Sequence, residues 1–354
     1  MGMAHARAGW IAAVSVAALA LAACGSTAGG SSSSSAAAQA TAQAPGSVSV
    51  GFILKPVSNP YFATMGQGAS QEAAKLGVHL TTQDAANLAD ATGQANALTA
   101  LINHGYSCYL VNPVDDTNLV QPLVQAQAQH RPIVNIDLPI SASAARAAGV
   151  HIDTYIGTDN VAAGRLAATE LEKLVPAGSQ VAVIGGLASD PTSQARIAGF
   201  TEGAAGKLHV VQTVAGNWDR ATALSDATAI MQDHPGLKAF FVANGDMDLG
   251  VQRAIGAAGK QGKVDTIAII GDTAVIKEVE AGTMAAVVEQ FPYTIGQEGV
   301  QACAAAAEGK QLPASVSTPA QVITKANAAQ ALAAFPQPFE SFSDPFTALL
   351  GSRS

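Results

Sequence analysis

The sequence is poor in charged residues and in cysteine, and it lacks the positive charge that proteins binding nucleic acids carry. Of 354 residues, 12% are charged and 3 are cysteines, and the formal net charge is −8. An acidic chain is repelled by phosphate backbones and by anionic lipid surfaces, so neither is expected as a partner. The hydrophobic fraction of 49% is nevertheless that of a globular body.

Motifs of hydrolytic and nucleotide-dependent enzymes are absent as well. The sequence has no Gly-x-Ser-x-Gly elbow, no His-Glu-x-x-His pair and no phosphate-binding loop ending in Gly-Lys-Ser/Thr. Its histidines are scattered at the ends of predicted elements without a shared motif. We therefore expect no catalysis, no cofactor and no bound metal.

The longest apolar run near the start of the chain is too short to cross a bilayer. Trp10–Ala20 covers about a dozen residues, whereas a hydrocarbon core of ~30 Å needs more. Such a run is typical of the central region of a secretory signal peptide, here residues 1–23. Small residues and then Cys24 follow, which resembles the lipobox of bacterial lipoproteins, whose cysteine is acylated. We expect an exported protein, lipid-anchored at Cys24 to the outer face of the cell membrane; an ordinary signal peptide with a chance cysteine is the alternative.

The segment after Cys24 consists almost only of Gly, Ser, Ala, Thr and Gln. Such a composition cannot bury enough apolar surface to offset the entropy of ordering, so residues 24–47 are expected to be a flexible linker. The body that follows, about 300 residues long, suits two domains.

The body contains two cysteines, Cys108 and Cys303. Cys108 lies in an apolar run that reads as a buried strand, and Cys303 lies in an alanine-rich predicted helix. Two distant cysteines make neither a disulfide framework nor a metal site. Buried free thiols are expected.

Predicted strands and helices alternate along the body with little interruption. Asn59 and Pro60 mark the start of one helix, in which apolar residues recur at spacings of three and four until Gly77. This alternation predicts parallel sheets covered by helices on both faces, and a second series begins near Tyr155. The expected fold class is α/β, with two similar doubly wound parallel-sheet domains joined by a hinge.

Candidate binding residues follow the predicted strands, where open parallel sheets bind their ligands. They are Lys55, Asn59, Tyr61, Phe62, Asp137, Arg196, Trp218, Asn244, Asp272 and Gln290. Carboxylates and amides suit neighbouring hydroxyls, arginine offers a fork of donors, and aromatic rings suit the C–H face of a sugar. The set predicts a site for a polyhydroxylated small molecule. Asn59 could instead be only a helix cap, Phe62 a core residue and Lys55 a rim charge.

Around these residues the chain resembles the type I periplasmic sugar-binding proteins, the ribose- and allose-binding kind that feed ABC importers. The resemblance extends from Val48 to about Lys325 and rests on the order and spacing of segments. Among them are ILKPVSNPYF, VNID, GTDNVAAGRLA, SQARIAGF, NWDR, VANGDMDLG, IIGD and EQFP. It implies that the candidate residues contact a sugar. Lys55 stands where the allose-binding kind has lysine, and Leu138 departs from the polar or charged contact that both kinds have.

The resemblance also implies two discontinuous lobes and a hinge. The expected lobes are residues 48–157 with about 291–320, and 158–290 with about 321–335, followed by a tail, 336–354, without an assigned role. The expected hinge strands are Gly157–Asn160, Val288–Phe291 and Val322–Thr324.

The implied function is that of a monomeric lipoprotein that captures a monosaccharide or polyol and delivers it to an ABC permease. The alternative is a co-receptor that presents the ligand to a membrane sensor. Such a protein would have almost the same structure, so the sequence leaves both functions possible. Sugar-responsive repressors share this body, but they carry an N-terminal DNA-binding helix-turn-helix, whose place is taken here by the signal and linker.

Overall fold

The computed structural model describes residues 47–269 and 272–351. They form two lobes, each built on a six-stranded sheet with helices on both faces. The expected fold class is confirmed. Cys24 and nearly all of the predicted linker lie outside the described residues.

The N-lobe contains the first of the two sheets. Its strands are β1 (Ser49–Leu54), β2 (His79–Asp84), β3 (Cys108–Val111), β4 (Ile133–Ile136), β5 (Thr154–Thr158) and β11 (Ser315–Thr318). They lie in the order β11-β5-β4-β3-β1-β2, and all neighbours are parallel. The helices of this lobe are α1 (Pro60–Leu76), α2 (Ala91–His104), α3 (Val120–Ala128), α4 (Ala142–Ala147), α10 (Pro292–Ala307) and α12 (Pro345–Leu350).

The C-lobe repeats this arrangement. Its strands are β6 (Gln180–Gly185), β7 (His209–Ala215), β8 (Ala239–Val242), β9 (Asp265–Ile269), β10 (Ala286–Gln290) and β12 (Ala320–Thr324). The order is β12-β10-β9-β8-β6-β7, in which only β12 is antiparallel to its neighbour. Its helices are α5 (Asn160–Leu174), α6 (Pro191–Ala204), α7 (Arg220–Asp233), α8 (Gly245–Ala257), α9 (Thr273–Ala281) and α11 (Ala328–Ala334).

The chain passes between the two sheets at three points. It leaves the N-lobe between β5 and α5, returns between β10 and α10 at Phe291, and leaves again between β11 and β12 at Pro319. The third hinge prediction, Val322–Thr324, is wrong: these residues lie inside β12 and pair with β10. Proline separates the two strands because it cannot donate a ladder hydrogen bond.

The expectation of free thiols is also wrong, because Cys108 and Cys303 form a disulfide bond. Their Cα atoms are 5.5 Å apart, although the sequence separation is 195 residues. The return of the chain at Phe291 brings α10 back onto β3, so two cysteines distant in sequence become neighbours in the N-lobe core.

The tail after residue 335 contacts both lobes. Phe339 packs on the C-lobe core, and the side chain of Gln321 accepts a hydrogen bond from its backbone N–H at 3.1 Å. Further along, Phe346 is 0% exposed in the N-lobe core, beside α10. The C-terminal segment thus forms an additional link between the lobes.

Helices α5 and α6 approach each other closely, and their contact positions a candidate site residue. Gly164 of α5 faces the backbone of Arg196 on α6, and a Cβ atom there would collide with that backbone. The glycine therefore allows α6 to lie directly against α5.

Within the described ranges, 47–269 and 272–351, no helix is both long and apolar enough to span a bilayer.

Candidate functional site

Asp137 organises the N-lobe half of the candidate site. It follows β4, and its Oδ2 lies 3.3 Å from the Lys55 Nζ, while its Oδ1 accepts a hydrogen bond of 3.1 Å from the Tyr61 hydroxyl. Lys55 also lies 5.2 Å from the centroid of the Phe62 ring. Burial and then the Asp137 carboxylate raise the pKa of Tyr61, so its hydroxyl remains a neutral donor.

Hydrogen bonds from two neighbouring side chains hold the loop that carries Asp137. Asp137 has φ = 64°, a left-handed conformation that is uncommon for a residue other than glycine. The hydroxyl of Tyr155 donates to its carbonyl at 2.7 Å, and the buried amide of Asn135 donates to the carbonyl of Leu138 at 2.9 Å. These bonds fix the direction in which the carboxylate points. Leu138 itself is buried, with 2% exposed.

Arg196 organises the C-lobe half. It lies on α6, is 3% exposed, and donates to Asn160 Oδ1 at 2.9 Å, to the carbonyl of Ala243 at 2.7 Å and to Gln290 Oε1 at 2.8 Å. Gln290 donates in turn to Asn160 Oδ1 at 3.0 Å. A guanidinium carries five N–H donors, so these bonds leave part of the fork for a ligand. Gln290 is the last residue of β10 rather than a loop residue after it.

Trp218 lies beside Arg196, whose guanidinium carbon is 5.7 Å from the indole centroid. The indole Nε1–H donates to Asp190 Oδ2 at 3.1 Å. Gly186 lies under the ring, where a Cβ atom would collide with the indole. The ring is therefore held at its edge and on one face.

Three of the predicted contacts are helix caps in this structure. The side chains of Asn59, Asn244 and Asp272 accept hydrogen bonds from the first turns of α1, α8 and α9. Asn244 directly follows Ala243, whose carbonyl binds Arg196. The side-chain bonds of all three residues go to their own helices, so as ligand contacts the three stay predictions. Phe62 is 7% exposed and belongs to the N-lobe core, which favours the interpretation of Phe62 as a core residue rather than a ligand contact.

The two halves of the site act on each other electrostatically. Burial lowers the pKa of Arg196, whereas the nearby Tyr61 and Asp137 of the other lobe act in the opposite direction. The site therefore combines the Arg196 cation of one lobe with the Asp137 anion of the other, and Trp218 and Gln290 lie beside the cation. A cavity of about 210 Å³ lies beside the first crossing, and residues of both lobes line it, among them Tyr155 and Asn160. In the part of the chain that the structure describes, no group of three or more His, Cys, Asp or Glu could hold a metal ion.

The sequence reasoning missed several residues of this arrangement. Asn160 and Asp190 follow β5 and β6 and cap or begin helices, so the rule that selected Asn59 could have found them. Asn112 follows β3, is 0% exposed, and its Oδ1 has no hydrogen-bond partner among the described residues. Tyr155 lies within a strand, and no sequence signal distinguishes it.

Two lobes joined by three crossings, with a polar and aromatic site between them, define a bilobal ligand-binding protein. The chain belongs to the periplasmic binding protein family, whose domain model matches residues 50–311. It is similar to the D-allose-binding periplasmic protein of Escherichia coli K12, with 35% identity over 265 residues, which is 74% of this chain and 85% of that protein.

A ribose import binding protein of Bacillus subtilis is 28% identical over 277 residues, covering 78% of this chain and 87% of its own. Among solved structures, the fold is similar to that of an ABC transporter solute-binding protein from Actinobacillus succinogenes with bound D-allose. The TM-score is 0.75 and the identity 24%, over 80% of this chain and 99% of that chain.

Proposed function

We propose that this protein captures a monosaccharide or a related polyol between its two lobes and delivers it to the permease of an ABC importer. The observation that carries the proposal is the meeting of two unlike half-sites: Asp137 with Lys55 and Tyr61 from one lobe, and Arg196 with Gln290 and Trp218 from the other. Carboxylate and amide groups match sugar hydroxyls, and the indole matches an apolar ring face.

The relatives support the choice of ligand class, because the names of the two similar curated proteins refer to D-allose and ribose. Ligand binding would favour the closed state of the hinge, since a ligand that contacts both lobes binds that state more tightly. The closed, monomeric protein would then dock on the permease through both lobes.

The proposal also includes export from the cytoplasm and anchoring to the membrane. We infer that Cys24 is the acylated N-terminus and that residues 24–47 act as the tether. The disulfide between Cys108 and Cys303 supports an oxidising compartment outside the cytoplasm. Metabolic labelling with a fatty acid should mark the wild type but not Cys24→Ser; labelling of both would contradict acylation at this residue.

The test of ligand binding is a thermal-shift screen followed by calorimetry, with D-allose, D-ribose, other pentoses and hexoses, and sugar alcohols. At least one sugar should bind with one-to-one stoichiometry and raise the melting temperature, because binding to the folded state alone stabilises it. Absence of binding across the whole panel would reject the proposal.

A further inference from the structure

Trp218 lies in a backbone conformation that needs external support. Its φ is 61°, and that of the preceding Asn217 is 57°. Two successive non-glycine residues in the left-handed region are strained, and such a conformation persists only where surrounding contacts hold it. The contacts around Trp218 therefore determine where its ring stands.

Asp190 supplies the only hydrogen bond that an indole can donate. The Nε1–H is the single donor of the ring, and it bonds to Asp190 Oδ2 at 3.1 Å. The other carboxylate oxygen, Oδ1, accepts from the backbone N–H of Thr192 at 2.7 Å and caps α6. The carboxylate is thus fixed by the helix, and it fixes the indole in turn.

The first two turns of α6 supply further contacts around the ring, and Trp218 also packs against the C-lobe core. Ser193, which is 1% exposed, accepts a hydrogen bond of 2.9 Å from the backbone N–H of Gly186 and so holds the surface under the indole. Arg196 stands 5.7 Å from the indole centroid. The start of α6 thus holds the ring in three ways. Asp190 bonds to its edge, Ser193 fixes Gly186 under its face, and the guanidinium of Arg196 lies beside it.

We propose that Asp190 is a positioning residue for the sugar-stacking face of Trp218. This inference rests on the proposed function, since it assumes that Trp218 contacts the ligand. A ring oriented before binding loses less conformational freedom when the ligand arrives, which improves affinity without any new contact to the ligand.

The matched variant is Asp190→Ser. Serine is a good helix cap, so α6 keeps its N-terminal hydrogen bond, but its side chain is too short to reach the indole. All measurements use a Trp10→Phe background, in which Trp218 is the only tryptophan. Asp190→Ser should leave the melting temperature nearly unchanged.

The first measurement needs no sugar. Without its partner, the indole should show lower fluorescence anisotropy and stronger quenching by acrylamide in Asp190→Ser than in the parent protein. Identical anisotropy and quenching would overturn the proposal, whether or not any sugar binds, so its failure is distinguishable from failure of the proposed function.

The second measurement compares affinity for the tightest-binding sugar of the panel, beginning with D-allose, in two backgrounds. Asp190→Ser should weaken binding about tenfold when residue 218 is tryptophan, in line with the loss of one hydrogen bond to a charged group. In the Trp218→Phe background the same change should have no further effect, because phenylalanine has no N–H. An equal loss in both backgrounds would show that Asp190 acts without the indole, through α6 or through its charge near Arg196, and would reject the positioning role.

Discussion

The N-lobe and the C-lobe hold their halves of the site by different means. In the N-lobe, Lys55 and Asp137 lie on two loops and form an ion pair, and the hydroxyl of Tyr61 donates a hydrogen bond to Asp137. In the C-lobe, Arg196 is 3% exposed and makes three hydrogen bonds to neutral groups of its own lobe. The first half therefore rests on a pair of opposite charges, whereas the second is a buried cation that neutral partners hold in place and that keeps N–H donors for a ligand.

The lobes also differ in how their cores are closed. The N-lobe receives α10, the disulfide and Phe346 from the last part of the chain. The C-lobe takes most of its core from one continuous stretch between α5 and β10. Both lobes bury carboxyl groups, among them Asp248 in the C-lobe and Glu298 in the N-lobe. Variants in each lobe should accordingly change different properties.

The largest effect is expected from Asp137→Ala. The change removes an acceptor for ligand hydroxyls and leaves Lys55, whose side chain is 9% exposed, without its partner. Sugar affinity should fall by about 3–4 kcal/mol, the range for breaking one side of a buried charged pair. Calorimetry gives the affinity, and Asp233→Ala, an exposed carboxylate on α7, is the matched control. Retained affinity with a collapsed melting temperature would show that Asp137 is structural.

The disulfide should matter to stability rather than to binding. Replacing both Cys108 and Cys303 with alanine should lower the free energy of unfolding by about 3 kcal/mol, because the crosslink restricts the unfolded chain. Urea unfolding with and without reductant measures this difference, and the double variant should be insensitive to reductant. Wild-type stability that does not respond to reductant, even in urea, would contradict a stabilising crosslink.

The sequence predicts the two-lobed α/β fold, but it does not predict how the last segments of the chain connect the lobes. Arg196, Gln290 and Trp218 are candidates because the carboxyl ends of parallel strands meet at one edge, and they stay predictions as ligand contacts. Asp190 and Asn160 also follow strands, but their bonds to Trp218 and Arg196 depend on which helix packs beside which, and spacing along the chain does not encode that. The disulfide and the crossing at Pro319 were missed for the same reason, since both follow from where the last segments return.

Truncation of the aromatic side chain in the C-lobe should have a smaller effect. Trp218→Ala should weaken sugar binding by about 1–3 kcal/mol, the range found for aromatic anchors in binding interfaces. The native protein should show a change in tryptophan fluorescence when the sugar is added. An affinity equal to that of the wild type would exclude stacking on Trp218.

Asp248, a buried carboxyl group of the C-lobe, should contribute to a pH dependence of stability. Burial raises the pKa of Asp248 from 3.8 to about 7, and its Oδ1 has no hydrogen-bond partner within the described ranges. Because the folded pKa lies above the unfolded one, its contribution to stability falls as pH rises from about 4 through 7.

Asp248→Asn removes this titration and should stabilise the protein by about 1–2 kcal/mol at pH 8, with little change at pH 4.5. Urea unfolding at both pH values measures the effect, and Asp233→Asn on the surface serves as the control. Equal pH dependence in Asp248→Asn and wild type would exclude Asp248 as the source.

The smallest effect is expected at Leu138. A sugar presents its ring oxygen and anomeric hydroxyl at one end, and a leucine side chain offers neither a donor nor an acceptor to them. We predict that D-ribose binds poorly, and that Leu138→Arg improves ribose binding relative to the native ligand by up to about 1 kcal/mol. Tight ribose binding by the wild type in calorimetry would show that another residue replaces the contact.

Capture between two lobes is tested most directly by the distance between them. Spin labels at Ala89→Cys in the N-lobe and Ala188→Cys in the C-lobe occupy exposed loops after β2 and β6, in a Cys24→Ser background whose remaining cysteines are paired. Pulsed electron paramagnetic resonance should show a shorter and narrower distance distribution when the tightest-binding sugar is saturating. An unchanged distribution at full occupancy would contradict binding by lobe closure.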